Sequence, residues 1–187
     1  SQYGEYESRV QAIIQNIKEN GDEALFSYTK QFDKADINAS NVKVTDEEFE
    51  EAYKAVDPAL LDVIRKALVN IESYHELQKQ NSWFKSTPQG TMLGQKVTPL
   101  EKVGVYVPGG KAVYPSSVLM NIMPAKVAGV DKIIMTTPCN AEGKVNPAVL
   151  VAAKEAGADE VYKAGGAQAI AALAFGTESI PKVDKIV

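Results

Sequence analysis

A chain of 187 residues, 45% of them hydrophobic, is long enough to bury a substantial core as one large domain or two small ones. Charged residues make up 24% and sum to a formal charge of −4, which leaves no electrostatic ground for nucleic acid or an anionic membrane as partner. No apolar run approaches the roughly 20 residues that cross a bilayer. Ser1-Gln2-Tyr3-Gly4-Glu5 lacks the basic-then-apolar pattern of a signal peptide, and the lone Cys139 can form no internal disulfide, so the cytoplasm is the expected compartment.

Residues 1 to about 85 read as helices. Tyr6, Val10, Ile13, Ile14 and Ile17 recur at helical spacing, and Gly21 is a natural stop. Leu25, Tyr28 and Phe32 predict a second short helix. Thr45-Asp46-Glu47-Glu48 has the form of a capping box, with Phe49, Ala52, Tyr53 and Val56 as the apolar face behind it. Asp57-Pro58 opens a longer helix, aspartate as cap and proline in the first turn, with Leu60, Leu61, Ile64, Leu68, Ile71 and Leu77 along its buried stripe. Between about 86 and 101, Pro88, Gly90, Gly94 and Pro99 punctuate Thr91-Met92-Leu93 and Gln95-Lys96-Val97. Two short strands joined by a turn are expected there.

From Val103 the rhythm changes to alternating strand and helix. The strands are 103–107, 132–135, 160–162 and 184–187; the helices are 115–129, 147–157 and 167–175. Asn146 and Pro147 open the second of these helices and Gly157 closes it. Strands recurring roughly every 25–30 residues leave room for crossover helices, which predicts a parallel sheet covered by helices. The last strand falls on the final residue with no helix after it, so a truncated chain is expected.

In such sheets ligands gather beyond the carboxyl ends of the strands. Two loops there are rich in glycine: Val107-Pro108-Gly109-Gly110-Lys111, leading into Tyr114-Pro115-Ser116-Ser117, and Ala164-Gly165-Gly166-Ala167-Gln168. Glycine lets backbone approach a ligand, and a helix start offers free N–H groups and a positive dipole end to a phosphate. Neither loop is a G-x-G-x-x-G fingerprint or a P-loop, and such loops taken alone are more often simply tight turns. Tyr106, ending the first strand, is placed to stack on a nicotinamide or adenine, or is an ordinary strand aromatic. Gln168 is placed to bond a ribose or amide, or is an exposed helix residue.

Long segments in fixed order narrow this further. The stretches 103–110, 114–121 and 124–130, the run from Gly165 to Ser179, and the closing Pro181-Lys182-Val183-Asp184-Lys185-Ile186-Val187 closely resemble histidinol dehydrogenase. The helical half agrees more loosely, through Phe32-Asp33 and the stretch from Asn70 to Trp83. The resemblance implies an α/β fold of the aldehyde-dehydrogenase-like superfamily: a mainly helical region, 1–102, belonging to a first domain completed downstream, then an incomplete Rossmann-like NAD-binding domain, 103–187. It implies oxidation of L-histidinol to L-histidine through an aldehyde with two NAD, in histidine biosynthesis, by a zinc-dependent homodimer. By resemblance, Tyr106 and Gln168 contact NAD.

The family's next residues, Gly-Pro-Gly-Asn, its zinc ligands (a glutamine, two histidines and an aspartate) and its Glu-His acid/base pair would all lie beyond Val187. No catalytic or metal-ligating residue is therefore assigned to this chain, and alone it is expected to be inactive. His75 is the only histidine, so no His-rich or Cys/His zinc cluster can be built from it, and a structural or solvent-facing role is expected of it. Two alternatives stand beside this reading: a non-catalytic nucleotide-binding or dimerisation module, and an aldehyde-dehydrogenase-like enzyme using Cys139 as nucleophile.

Overall fold

The computed structural model describes residues 2–109 and 114–187. Elements follow in the order α1 (Gln2–Asp33), α2 (Asp46–Ala55), α3 (Pro58–Glu76), β1 (Trp83–Ser86), β2 (Met92–Gln95), β3 (Lys102–Tyr106), α4 (Pro115–Val127), β4 (Lys132–Thr137), α5 (Pro147–Ala156), β5 (Glu160–Lys163), α6 (Gly166–Phe175) and β6 (Lys185–Ile186). None of the described helices is long and apolar enough to cross a membrane.

The helix starts follow their sequence signals. Thr45 and Glu48 form the reciprocal capping box, each side chain taking the other's backbone N–H. Asp57 accepts from the Ala59 N–H ahead of Pro58, and Asn146 accepts from the Ala148 N–H ahead of Pro147. Gly21 breaks α1 as expected: its backbone, at φ 51° and ψ −126°, is not helical, and two helical halves meet there. Two residues depart from the expected stripe: Leu60, in the first turn, is 37% exposed, and α3 has already ended before Leu77, which is 87% exposed.

The hairpin also differs. Strand 92–95 pairs antiparallel with 83–86, in the register Trp83↔Gln95 to Ser86↔Met92, instead of turning back on itself at Gly94. The turn falls at Thr87-Pro88-Gln89-Gly90, where the Gly90 N–H donates to the Thr87 carbonyl and Gly90 takes a positive φ. Proline presets the second turn position and glycine accepts the left-handed one, so this tetrapeptide turns more readily than a lone Gly94. Gly94 sits within the strand opposite Phe84, whose ring fills the place of its missing side chain.

The main sheet is parallel, in the order β5-β4-β3-β6. Its central strands are almost wholly buried, with Val105, Ile133, Ile134 and Met135 at 0% exposure. Such strands read as continuous apolar runs because helices cover both faces. On one face α4 and α5 pack together, with α3 and α2 outside them; on the other α6 packs against α1. Residues 42–44 run along the free edge of β5, the Val44 N–H donating to the Val161 carbonyl and the Lys163 N–H to that of Val42. One cluster of buried residues thus extends from Ile17 in α1 to Val183 before β6.

Between α2, α3 and α5 lies a polar knot. Glu155 accepts from the Arg65 guanidinium at 2.9 Å and from the Tyr53 hydroxyl at 3.0 Å. Burial, then the hydrogen bond to the carboxylate, push the Tyr53 phenol up to about 12. Burial and its own bond to Glu160 also raise Tyr162. A raised folded-state value means that the folded protein holds its proton longer than the unfolded one. The stability this contributes is complete below an ordinary tyrosine value near 10 and is lost as the pH rises towards 12. Thermal midpoints measured from pH 9 to 12 are expected to fall steeply above pH 10, and less steeply in Tyr53→Phe. Parallel curves for the two proteins would refute the assignment to Tyr53.

Candidate functional site

The chain runs outward from β3 through α4 to β4 and through α5 to β5, then crosses back so that β6 lies on the other side of β3. The order of strands reverses at β3, and crevices of this kind, beyond the carboxyl ends at a reversal, are where open α/β sheets bind ligands. Tyr106 is the last residue of β3, and its N–H donates to the Val187 carbonyl just past β6. A residue singled out from the sequence therefore stands at the switch point.

Tyr106 shares a face of the sheet with Gly104, two residues earlier. A side chain at Gly104 would meet Leu173 of α6 and Val183, so this is the α6 face. From here the Tyr106 hydroxyl reaches the start of α6 and accepts from the Gly166 N–H at 3.1 Å. The residue that leads into the first glycine loop and a glycine of the second, 60 residues apart in sequence, are thereby joined by one hydrogen bond. Gly110 and Lys111 of the first loop lie outside the described residues.

Gln168, in the first turn of α6, is 3% exposed, and its amide folds back over Gly166. That excludes the reading of it as an exposed helix residue. Burying an amide is unfavourable unless it is bonded, so its burial at the start of α6, beside the Tyr106–Gly166 contact, is informative. Thr136 adds a residue that sequence reasoning does not single out. It lies opposite Tyr106 in the β3–β4 register, is fully buried, and its hydroxyl has no partner among the described residues. The available signal was a hydroxyl at the end of Lys-Ile-Ile-Met, where a buried strand would otherwise continue apolar.

The glycines serve two purposes. Gly166 takes φ +65°, a left-handed value suited to glycine. Gly109 and Gly165 do not: the room left by their missing side chains is taken by the Pro138 ring. For these two, close approach of the backbone is to a proline of the next strand's loop.

Other candidates lie elsewhere. Cys139, next after Pro138, is 8% exposed; burial and then the nearby Asp33 carboxylate push its thiol up. Since the thiolate is the nucleophile, this environment works against covalent catalysis. Lys163, ending β5, is 5% exposed and pairs with Glu48 of α2 at 2.6 Å. His75 is at the far end of the fold, beside the C-terminal turn of α4. Its Nδ1 lies 2.7 Å from Gln78 Oε1, in a groove of about 530 Å³. Among the described residues no group of three or more His, Cys, Asp or Glu is placed to hold a metal ion.

Comparison with known proteins agrees with this geometry. The family model for histidinol dehydrogenase matches residues 1–187. Histidinol dehydrogenase of Bacillus subtilis is 58% identical over 182 residues, which cover 97% of this chain and 42% of that protein. Histidinol dehydrogenase of Clostridium acetobutylicum is 57% identical over 178 residues, covering 95% of this chain and 41% of the relative. The crystal structure of histidinol dehydrogenase from Elizabethkingia anophelis superposes with a TM-score of 0.90 at 40% identity, over 96% of this chain and 41% of that one. The chain thus spans about two-fifths of the length of the relatives it matches. With a match along its whole length, this chain belongs to the histidinol dehydrogenase family.

Proposed function

We propose that this chain forms the cofactor-binding part of an NAD-dependent histidinol dehydrogenase, which oxidises L-histidinol to L-histidine through the aldehyde in histidine biosynthesis. In this reading the enzyme is a cytoplasmic, zinc-dependent homodimer, and the sheet is an incomplete Rossmann-like domain (103–187) of the aldehyde-dehydrogenase-like superfamily. Residues 1–102 belong to a domain completed downstream. The observation that carries the reading is the meeting of Tyr106 with Gly166 at the switch point, beside the buried Gln168.

The residues present suit a dinucleotide. The start of α6 is a positive dipole end, favourable to a phosphate. Tyr106 is half-buried and offers a ring to stack on. Gln168 carries both a donor and an acceptor for a ribose or a carboxamide. When bound, NAD supplies the hydride acceptor; Tyr106 and Gln168 bind and orient it. Zinc is different, because no described cluster of side chains fits it. In this reading its ligands are supplied by the downstream part of the enzyme.

Alcohol oxidation also requires a base to take the hydroxyl proton. Gln168 is an amide and takes no proton, and the Tyr106 hydroxyl is engaged with the Gly166 N–H, so in this reading both orient the cofactor and the base is supplied downstream. The chain alone is therefore expected to be silent when NADH formation from L-histidinol is followed with zinc added, beside an active chain extended through the downstream coding sequence. NADH produced by the 187-residue chain itself would overturn this placement of the chemistry. Two folded but silent proteins would favour the non-catalytic binding module.

A further inference from the structure

Gly109, Pro138 and Gly165 follow β3, β4 and β5, three strands adjacent in the sheet with β4 in the middle. The ladder is intact up to this level: the Val107 N–H donates to the Thr136 carbonyl and the Ala164 N–H to that of Thr137. Pro138 has no N–H to continue it, and its half-buried ring projects between the two flanking loops. A β-carbon at Gly109 would collide with Pro138 Cγ. One at Gly165 would lie 2.7 Å from Pro138 Cβ and 3.2 Å from Cγ. Neither glycine has a left-handed backbone, so space alone excludes a side chain at both positions.

The two loops separated by this ring carry the two residues placed against the cofactor. Tyr106 is three residues before Gly109, and Gln168 three after Gly165. The Tyr106–Gly166 hydrogen bond draws the loops together, and the ring holds them apart. Proline is well suited to separating them, because its ring has no free rotamers and does not yield as a flexible side chain would.

We propose that Pro138 is a positioning residue for the cofactor site, a rigid spacer that sets the distance between Tyr106 and Gln168 without touching the cofactor. The proposal rests on the NAD-binding reading above. It explains why glycines flank the ring on both sides, and why the central loop, which carries neither contact residue, ends its strand on proline.

The geometry is asymmetric, and that makes a specific test possible. Gly109 faces the ring's Cγ, an atom that Pro138→Ala removes. Gly165 faces Cβ, an atom that alanine keeps. NAD binding is measured by ligand-observed NMR on the chain extended through the downstream coding sequence, with the thermal midpoint of each variant recorded in parallel. Pro138→Ala is expected to weaken NAD binding about tenfold, equivalent to roughly 1.4 kcal/mol, while lowering the midpoint by only a few degrees. Gly109→Ala weakens binding at least as much. In Gly109→Ala/Pro138→Ala the new methyl takes the place of Cγ, and affinity returns to within about threefold of the unaltered chain. Gly165→Ala is not rescued by Pro138→Ala.

Unchanged affinity in folded Pro138→Ala overturns the proposal. So do losses that simply add in the Gly109→Ala double variant, equal rescue at Gly165, or a fall in midpoint as large as that of a core truncation. If the unaltered chain binds no NAD, the cofactor reading itself fails and takes this role for Pro138 with it. Unimpaired NAD binding by the unaltered chain and by all variants leaves the cofactor reading standing and removes only the spacer.

Discussion

Glu48→Ala is expected to destabilise the chain by about 3 kcal/mol, measured as a shift in the denaturant midpoint at neutral pH. Two losses combine. Glu48 Oε2 accepts from the Thr45 N–H and so closes the capping box of α2, whose loss costs on the order of 1 kcal/mol. Its Oε1 is the partner of the Lys163 ammonium, whose side chain is 5% exposed. Removing the carboxylate leaves a positive charge confined where water scarcely reaches, and an orphaned buried ion is far more unfavourable than the pair is favourable. Glu48→Leu combined with Lys163→Met is therefore expected to recover most of the loss, because the buried charge leaves with its partner. A single variant within about 0.5 kcal/mol of the unaltered protein, the scatter of surface substitutions, would show that Lys163 is satisfied without Glu48.

Gly21→Ala should lower stability by roughly 2–3 kcal/mol. At φ 51° and ψ −126° the backbone adopts a conformation that L side chains rarely enter. Its β-carbon would also lie 2.5 Å from Glu178 Oε2. That carboxylate is held in place by a bond of its own: Oε2 accepts from the Asp22 N–H, capping the second half of α1 from 156 residues away. Ser179 in turn donates its N–H and its hydroxyl to the Asp22 carboxylate. Alanine at position 21 both strains the chain and displaces the cap. Glu178→Ala in the Gly21→Ala background should add little, since the bond it removes is already broken, whereas alone it costs about 1 kcal/mol. Strict additivity in this cycle would show that the two residues act independently.

Local features are well legible in the sequence. The capping box at Thr45 and Glu48, the Asp57-Pro58 and Asn146-Pro147 starts and the break at Gly21 each depend on residues within a turn of one another. The strand and helix alternation after Val103 is legible for the same reason, since periodicity and crossover length are properties of contiguous sequence. The hairpin is not: choosing between a turn at Gly94 and one at Pro88 depends on which strand finds a partner, and Trp83–Ser86 provides it. Leu77 misleads because its spacing fits the stripe of α3, while the helix ends one residue before it.

The candidate site divides along the same line. Tyr106 and Gln168 stand out by their places at a strand end and a helix start, and by resemblance to a family. Their meeting depends on the strand order, which brings Tyr106 to Gly166 across 60 residues. Thr136 and Pro138 look like ordinary residues at the end of a strand until their neighbours in the sheet are known. The Glu48–Lys163 pair spans 115 residues and leaves no local trace at all.

The strands and helices after Val103, the capped helix starts, the parallel α/β class and the family are all written in contiguous residues, because propensity, capping and periodicity act over a few residues and a long ordered match needs no fold. Which side chains share an environment emerges with packing alone: the reversal at β3, the burial of Gln168, the ring between two glycines and the ion pair behind β5. Those depend on contacts between segments remote in the chain, whose proximity is created by packing the helices onto both faces of the sheet.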